Sequence, residues 1–455
     1  MKLKRIKSEG IAHNSYLLAD GNEAVIIDPR RDCQIYVNLA QKECAKIKYI
    51  LETHRNEDYV IGSLELQNIT DAEICHGDAL HFKYGEQNLR DGDTLKVGSL
   101  SIKALHTPGH TNESLCYTVY RDDHHKALMV FTGDTLFVGS VGRTDLYGKE
   151  AHPTQAKKLY ASLHEKLLLL GDQAIIYPGH GAGSVCGNGI SDQDFSTVGY
   201  EKKNNPLLQL DKDAFIQRAV SDEMLVPPYF RKMEVYNLNG PPLLYGLPPV
   251  KPLSVAEFEQ HMHQPETVVV DTRTPPAFAG SHIPGSLSLW LEGTSAYPGW
   301  ILDYNQRLLF VHERKSDMNT VAAHFFRLGF DNIVGFLCNG ISEWQERGKP
   351  IGHIGTLSAS QLRCWLEEKT PLIVDVREPN EWKEGYIKGV ERIFFGHLAG
   401  KADSLPLNKP VVAICSVGNR ASIAASIIKK ERFKEVYNVL GGMTAWTNLG
   451  YPTQK

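Results

Sequence analysis

No two of the eight cysteines stand in a C-x-x-C pair, which argues against a zinc ribbon or a thioredoxin-type redox motif. Scattered as Cys33, Cys44, Cys75, Cys116, Cys186, Cys338, Cys364 and Cys415, they read as reduced thiols of a cytoplasmic protein, not as a disulfide framework. No apolar run approaches the roughly 18 residues needed to span a bilayer. The basic N-terminus, "MKLKRIKSEGIAHNSYLL", lacks the unbroken apolar segment of a signal peptide. There is no excess of positive charge either. The net charge of −4 gives no electrostatic case for nucleic acid or an anionic membrane as partner.

What remains is ordinary globular composition, 42% hydrophobic and 22% charged, in 455 residues. That length suggests about three domains. The first part alternates β-rich runs, such as "NSYLLA" and "AVIIDP", with helical spacing in "CQIYVNLAQKECAKI". "KYILETH" is another strand, and four later segments, "LSIKALHTPGHT", "LCYTVY", "ALMVFTGDTLF" and "AIIYPGHG", repeat one pattern, a buried strand followed by a small-residue loop carrying His or Asp. The expected architecture is two β-sheets in a sandwich with helices outside. The proline-rich stretch "NGPPLLYGLPPVKP" (239–252) resists helix and central strand and marks a linker.

Beyond the linker lies an internal repeat at an offset of 104 residues. "VVVDTRTPPAFAGSHIPGSLSL" (268–289) matches "LIVDVREPNEWKEGYIKGVERI" (372–393), pairing Asp271, Arg273, Ile283 and Gly285 with Asp375, Arg377, Ile387 and Gly389. Trp344 and Trp446 anchor a second match further on. Each copy alternates strands and helices, which predicts α/β domains with parallel sheets. The expected boundaries are 1–245, 253–350 and 355–455.

The second copy holds "VVAICSVGNRASIAASIIKK" (411–430). Cys415 sits between a hydrophobic strand and a helix, where backbone N–H groups and the helix N-terminus favour a thiolate. Gly418 lets the loop curl, and Arg420 either pins it or pairs with an anionic substrate. With "DVREPNEW" upstream, this resembles the rhodanese family of sulfurtransferases. The resemblance implies that Cys415 carries sulfane sulfur as a persulfide and that Arg420 closes the loop. The first copy reads "LFVHERKSDMNT" at the matching place, with His312 or Glu313 in the cysteine position, so it is expected to be catalytically silent.

His54, His110, Asp134 and His180 each close a predicted strand of the first part, as four ligand-type residues should around a metal. These motifs, with "GDTLFVGSVGRTD", resemble the metallo-β-lactamase superfamily, nearest its glyoxalase II and persulfide dioxygenase branch. Dinuclear members use T-H-x-H-x-D-H, whereas "THRNEDY" has Asn56 and Tyr59 in two histidine slots. The substitutions leave Asp58, His180 and a shared Asp134 for one metal, a poor set for zinc. They leave His54, His110 and Asp134 for the other, the two-histidine, one-carboxylate set of non-haem Fe(II) oxygenases.

The whole chain thus resembles bacterial persulfide dioxygenase–rhodanese fusions. That implies one Fe(II) per chain, oxidation of a small thiol persulfide (of glutathione, coenzyme A or bacillithiol type) by O2 to sulfite, and conversion of sulfite to thiosulfate at Cys415. Fusions of this kind often self-associate, so a homo-oligomer fits. The loop with Arg143 and Asp145 borders the thiol substrate in the enzymes resembled. There Arg143 either holds a substrate anion or forms a structural salt bridge. Tyr177 either lines the same pocket or is a strand aromatic. Cys186, in "GHGAGSVCGNG", either relays sulfur near the iron or is a small residue in a tight loop. Two other readings stay open. One is a zinc-dependent, glyoxalase II-like thioester hydrolase fused to a rhodanese. The other is a sulfur carrier without oxygenase activity.

Overall fold

The structure, a computed structural model, describes residues 1–121, 126–222, 224–406, 408–430 and 433–455. The chain divides into two compact units, residues 1–248 with 326–329, and residues 249–325 with 330–455. Among the described residues no helix is long and apolar enough to cross a membrane. All eight cysteines are free.

The first unit contains two six-stranded sheets. In one, strands Lys2–Ser8, His13–Asp20, Glu23–Ile27, Lys46–Leu51, Glu73–Gly77 and Gln87–Leu89 lie side by side in chain order, antiparallel at first and parallel from Glu23–Ile27 onward. In the other, Leu100–His106 pairs antiparallel with both Thr94–Val97 and Leu115–Arg121. Met129–Gly133 then joins Leu115–Arg121 antiparallel and Ile175–Pro178 parallel. One apolar cluster, including Leu18, Val25 and Leu51 of the first sheet and Ile102, Tyr117 and Phe131 of the second, fills the space between them. Two further clusters cover the outer faces. Tyr36 and Leu66, from helices Gln34–Lys42 and Ser63–Thr70, pack on the first sheet. Leu159, Leu163 and Phe215, from helices His152–Glu165 and Lys212–Ser221, pack on the second. The layering is therefore helix, sheet, sheet, helix, as the alternation of buried strands and amphipathic helices requires.

The second unit holds two five-stranded, all-parallel sheets with the same layout. The first runs Pro252–Leu253, Ile333–Leu337, Arg307–Val311, Thr267–Asp271, Leu287–Ser288. The second runs Gly355–Leu357, Val436–Val439, Val411–Ile414, Leu372–Asp375, Glu391–Arg392. Both begin their first helix with a serine capping box, Ser254 with Glu257 and Ser358 with Gln361. Both close with an indole N–H bonded to a carbonyl six residues on, Trp344 to Pro350 and Trp446 to Pro452. The repeat seen in the letters is thus a repeat in packing.

Candidate functional sites

In the first unit the functional side chains come from strand tips. Strand Lys46–Leu51 runs into Glu52-Thr53-His54, and Asp28 fixes this tip. The Asp28 carboxylate accepts from the Thr53 backbone N–H and hydroxyl, both at 2.7 Å. Having donated to Asp28, the Thr53 hydroxyl accepts from His54 Nδ1 at 2.8 Å. On the neighbouring loop His110 Nδ1 donates to the Arg143 carbonyl at 2.9 Å. With both Nδ1 atoms carrying protons, both Nε2 lone pairs are free, the usual way a second partner orients a metal-binding histidine.

Those two Nε2 atoms, each buried, have no hydrogen-bond partner among the described residues. They converge on Asp134 Oδ2, at 4.0 Å from His54 and 3.6 Å from His110. Glu57 stands beside them, with one oxygen 3.1 Å from His110 Nε2 and the other 3.7 Å from His54 Nε2. Orphaned polar atoms at the centre of a buried cluster are costly unless something binds there. Separations of about 3 to 4 Å are those of ligands sharing one ion at bonds near 2.1 Å. The residues present therefore fit a divalent metal held by His54, His110 and Asp134, with Glu57 at hand.

His180 behaves differently. Its Nδ1 faces both Asp134 oxygens, at 2.8 and 3.0 Å, and its Nε2 faces Asp58 Oδ2 at 2.9 Å. Burial opposes a charge on this ring, but Asp134 and Asp58 outweigh it and raise its pKa. So placed, His180 clamps Asp134. Asn56 turns its amide to the His54 carbonyl at 3.2 Å, and the Tyr59 ring packs on His13, 4.0 Å between centroids. Cys186 is wholly buried, with Sγ 3.4 Å from Glu57 Oε1 and within 4.8 Å of ligand atoms of Asp58 and His180. Burial, then the neighbouring carboxylates of Asp58, Glu57 and Asp134, push its thiol well above the usual range.

Arg143 is 4% exposed and fully engaged. It forms a two-pronged pair with Asp145, both contacts at 2.7 Å, and donates to the Val185 and Leu225 carbonyls. Tyr177 packs edge-on to Tyr16 beside Phe131, against the core between the sheets. Sequence reasoning passed over Glu57, because only burial distinguishes it from a solvated loop acid.

In the second unit Cys415 follows strand Val411–Ile414 and is 1% exposed. Its Sγ accepts from the Gly418 N–H at 3.1 Å, and Gly418 has φ +104°, a conformation that favours glycine. Arg420 donates to both Glu381 oxygens, at 2.6 and 2.7 Å, and to Ser416 Oγ at 2.8 Å. It thus ties the loop to helix Pro379–Glu384. A cavity of about 400 Å3 opens over the thiol. Its walls include Glu378, Val417 and Asn419 and, from the first repeat, Trp290 and Tyr297. In that first repeat His312 occupies the strand end, buried, its ring 5.3 Å from Phe336.

A strand-tip cluster of candidate metal ligands on a two-sheet sandwich, followed by a paired α/β repeat with a thiol loop, defines the class: a metal-site domain joined to two repeated α/β domains. Comparison with known proteins agrees. Residues 9–180 match the metallo-beta-lactamase superfamily, and residues 254–347 and 358–449 each match the rhodanese-like domain. The persulfide dioxygenase ETHE1 of Bos taurus is 31% identical over 220 residues, 47% of this chain and 77% of that protein. An uncharacterised protein of Mycobacterium leprae, ML0493, is 31% identical over 224 residues, 43% of this chain and 93% of its own. A crystal structure of a metallo-beta-lactamase from Staphylococcus aureus subsp. aureus COL superposes with a TM-score of 0.67 at 28% identity, covering 74% of this chain and 98% of that one. The chain belongs to the metallo-beta-lactamase superfamily, with an ETHE1-like N-terminal part and two rhodanese-like domains behind it.

Proposed function

We propose that the first unit is a non-haem iron persulfide dioxygenase and that Cys415 is a sulfurtransferase nucleophile acting on its product. The convergence of His54, His110 and Asp134, with both free Nε2 atoms pointing into one buried cluster, carries this reading. The likeness to ETHE1 supports it. Iron held by His54, His110 and Asp134 would supply the redox chemistry with O2 that a persulfide requires. The balanced reaction takes R–S–S⁻, O2 and water to R–SH, sulfite and a proton. Around it the chain's own residues orient and shield. Thr53 and the Arg143 carbonyl hold the imidazoles, and His180 holds Asp134.

At the second site the Cys415 thiolate takes the outer sulfur of another persulfide, releasing R–S⁻. Sulfite then attacks the outer sulfur of Cys415–S–S⁻, and the S–S bond breaks to give thiosulfate and the free thiolate. Gly418 N–H steadies the sulfur. Full-length protein purified without oxygen tests the scheme. One iron per chain, O2 uptake with glutathione persulfide and thiosulfate as product are expected. Cys415→Ser keeps the uptake and shifts the product to sulfite. Zinc in place of iron, with no uptake, would sink the oxygenase reading, and an unchanged product ratio would sink the coupling.

A further inference from the structure

The loop "THRNEDY" lacks imidazoles at positions 56 and 59, yet it places an extra carboxylate in the centre of the cluster. Glu57 is 0% exposed. A carboxylate stripped of water needs donors or a cation around it. Glu57 finds few donors. Among the described residues Oε1 accepts from the Cys186 thiol, a weak donor, and stands 3.1 Å from His110 Nε2, while Oε2 has no hydrogen-bond partner.

The near approach to the two histidines lacks the alignment of a good hydrogen bond. His110 Nε2 lies 3.1 Å from Glu57 Oε1, but the nitrogen is not aligned to donate, and its proton is already on Nδ1 facing the Arg143 carbonyl. Lone pairs of two nitrogens and a carboxylate face one another at 3.1 and 3.7 Å. Without a proton or a metal ion between them that arrangement is repulsive. With a metal ion there, it is a coordination shell, and ligand atoms of His54, Glu57 and His110 all lie within 4.8 Å of one another.

We propose that Glu57 is itself a metal ligand, standing in for the imidazole the loop lacks at position 56. The inference rests on the metal reading above and extends it. The ion is then held by two histidines and two carboxylates, Glu57 and Asp134. This oxygen-rich set suits Fe(II) or Mn(II) better than softer, thiolate-seeking metals. Two carboxylates and two neutral imidazoles also cancel the charge of a divalent ion, whereas the three-residue set leaves one positive charge. Cys186 is a positioning residue that donates to Glu57.

Metal binding by the full-length chain tests this without reference to turnover. Fe(II) is counted per chain, its affinity is measured by chelator competition, and Co(II) serves as an absorption probe of the ligand shell. Wild type and Glu57→Gln are compared, with Glu57→Asp as the variant that keeps the charge and His110→Ala as control. Glu57→Gln is expected to lose at least about tenfold in affinity, the lower end of what even an outer partner of a metal ligand is worth. Its Co(II) bands should shift, and Glu57→Asp should recover part of the affinity. Wild-type affinity and an unshifted Co(II) spectrum in both Glu57 variants, while His110→Ala loses the ion, would overturn the Glu57 assignment and leave the metal reading standing. No ion in wild type would overturn both.

Discussion

At the scale of single residues, the pair between Glu381 and Arg420 decides how the thiol loop is held. Burial pushes the Glu381 carboxyl up, but the hydrogen bonds and charge of Arg420 outweigh it and hold the group down at about 2. A carboxyl lowered on folding adds stability above its ordinary value of about 4.3 and loses it as pH falls through the lowered one. The loop should therefore stay pinned throughout the neutral range and loosen only in acid approaching pH 2. Glu381→Gln removes the charge that holds Arg420. Charge-assisted bonds of this kind contribute about 1.5–3 kcal/mol. Sulfur transfer by Glu381→Gln should thus slow by at least about tenfold, read as thiosulfate formed from supplied persulfide and sulfite, with O2 uptake unaffected. Undiminished transfer would mean that the loop holds its shape without the pair.

At the scale of elements, both rhodanese-like copies lock the strand-to-helix step in the same way. In the first, Arg273 pairs with Asp271 and bonds to the Ser281 carbonyl; in the second, Arg377 pairs with Asp375 and bonds to the Gly385 carbonyl. Both aspartates are wholly buried. Removing one partner of a buried pair costs about 3–5 kcal/mol, because the other charge is stranded. Arg377→Ala should lower the melting temperature of the second unit by about 10 °C, measured by calorimetry on the full chain. Arg273→Ala should do the same although its copy lacks the cysteine. These clamps were legible as letters, since D-x-R recurs at a fixed offset after a β-branched run. The strand tips that bring His54, His110 and Asp134 near one another were legible too, because each of these residues follows a buried strand in the letters. Glu57 was not. The reach of a glutamate at the third position beyond His54 depends on a backbone path that alternation of polar and apolar residues does not encode.

At the scale of the second unit, the copy without the loop cysteine supplies part of the other copy's cavity. Strand Leu287–Ser288 meets helix Asn419–Lys430 through the Ser288 and Ser422 hydroxyls at 2.7 Å, and the Ser288 N–H donates to Ser426. Just beyond that strand, Trp290 and Tyr297 lie 5.4 Å apart between ring centroids and line the space over Cys415. Tyr297 in turn packs edge-on to Phe395 at 5.1 Å. This partnership was hidden from the sequence, because a missing nucleophile says nothing about the wall its domain presents. A persulfide formed at Cys415, as proposed, would react with oxidants and other thiols, so an aromatic wall beside it would keep the sulfane sulfur for its acceptor. Replacing Trp290 and Tyr297 together with alanine should therefore leave the melting behaviour of the first unit and its O2 uptake unchanged. Thiosulfate formation at Cys415 should fall several-fold, with more sulfite left over. If the double variant forms thiosulfate at the wild-type rate, the first repeat is a spacer and the cavity over Cys415 is complete without it.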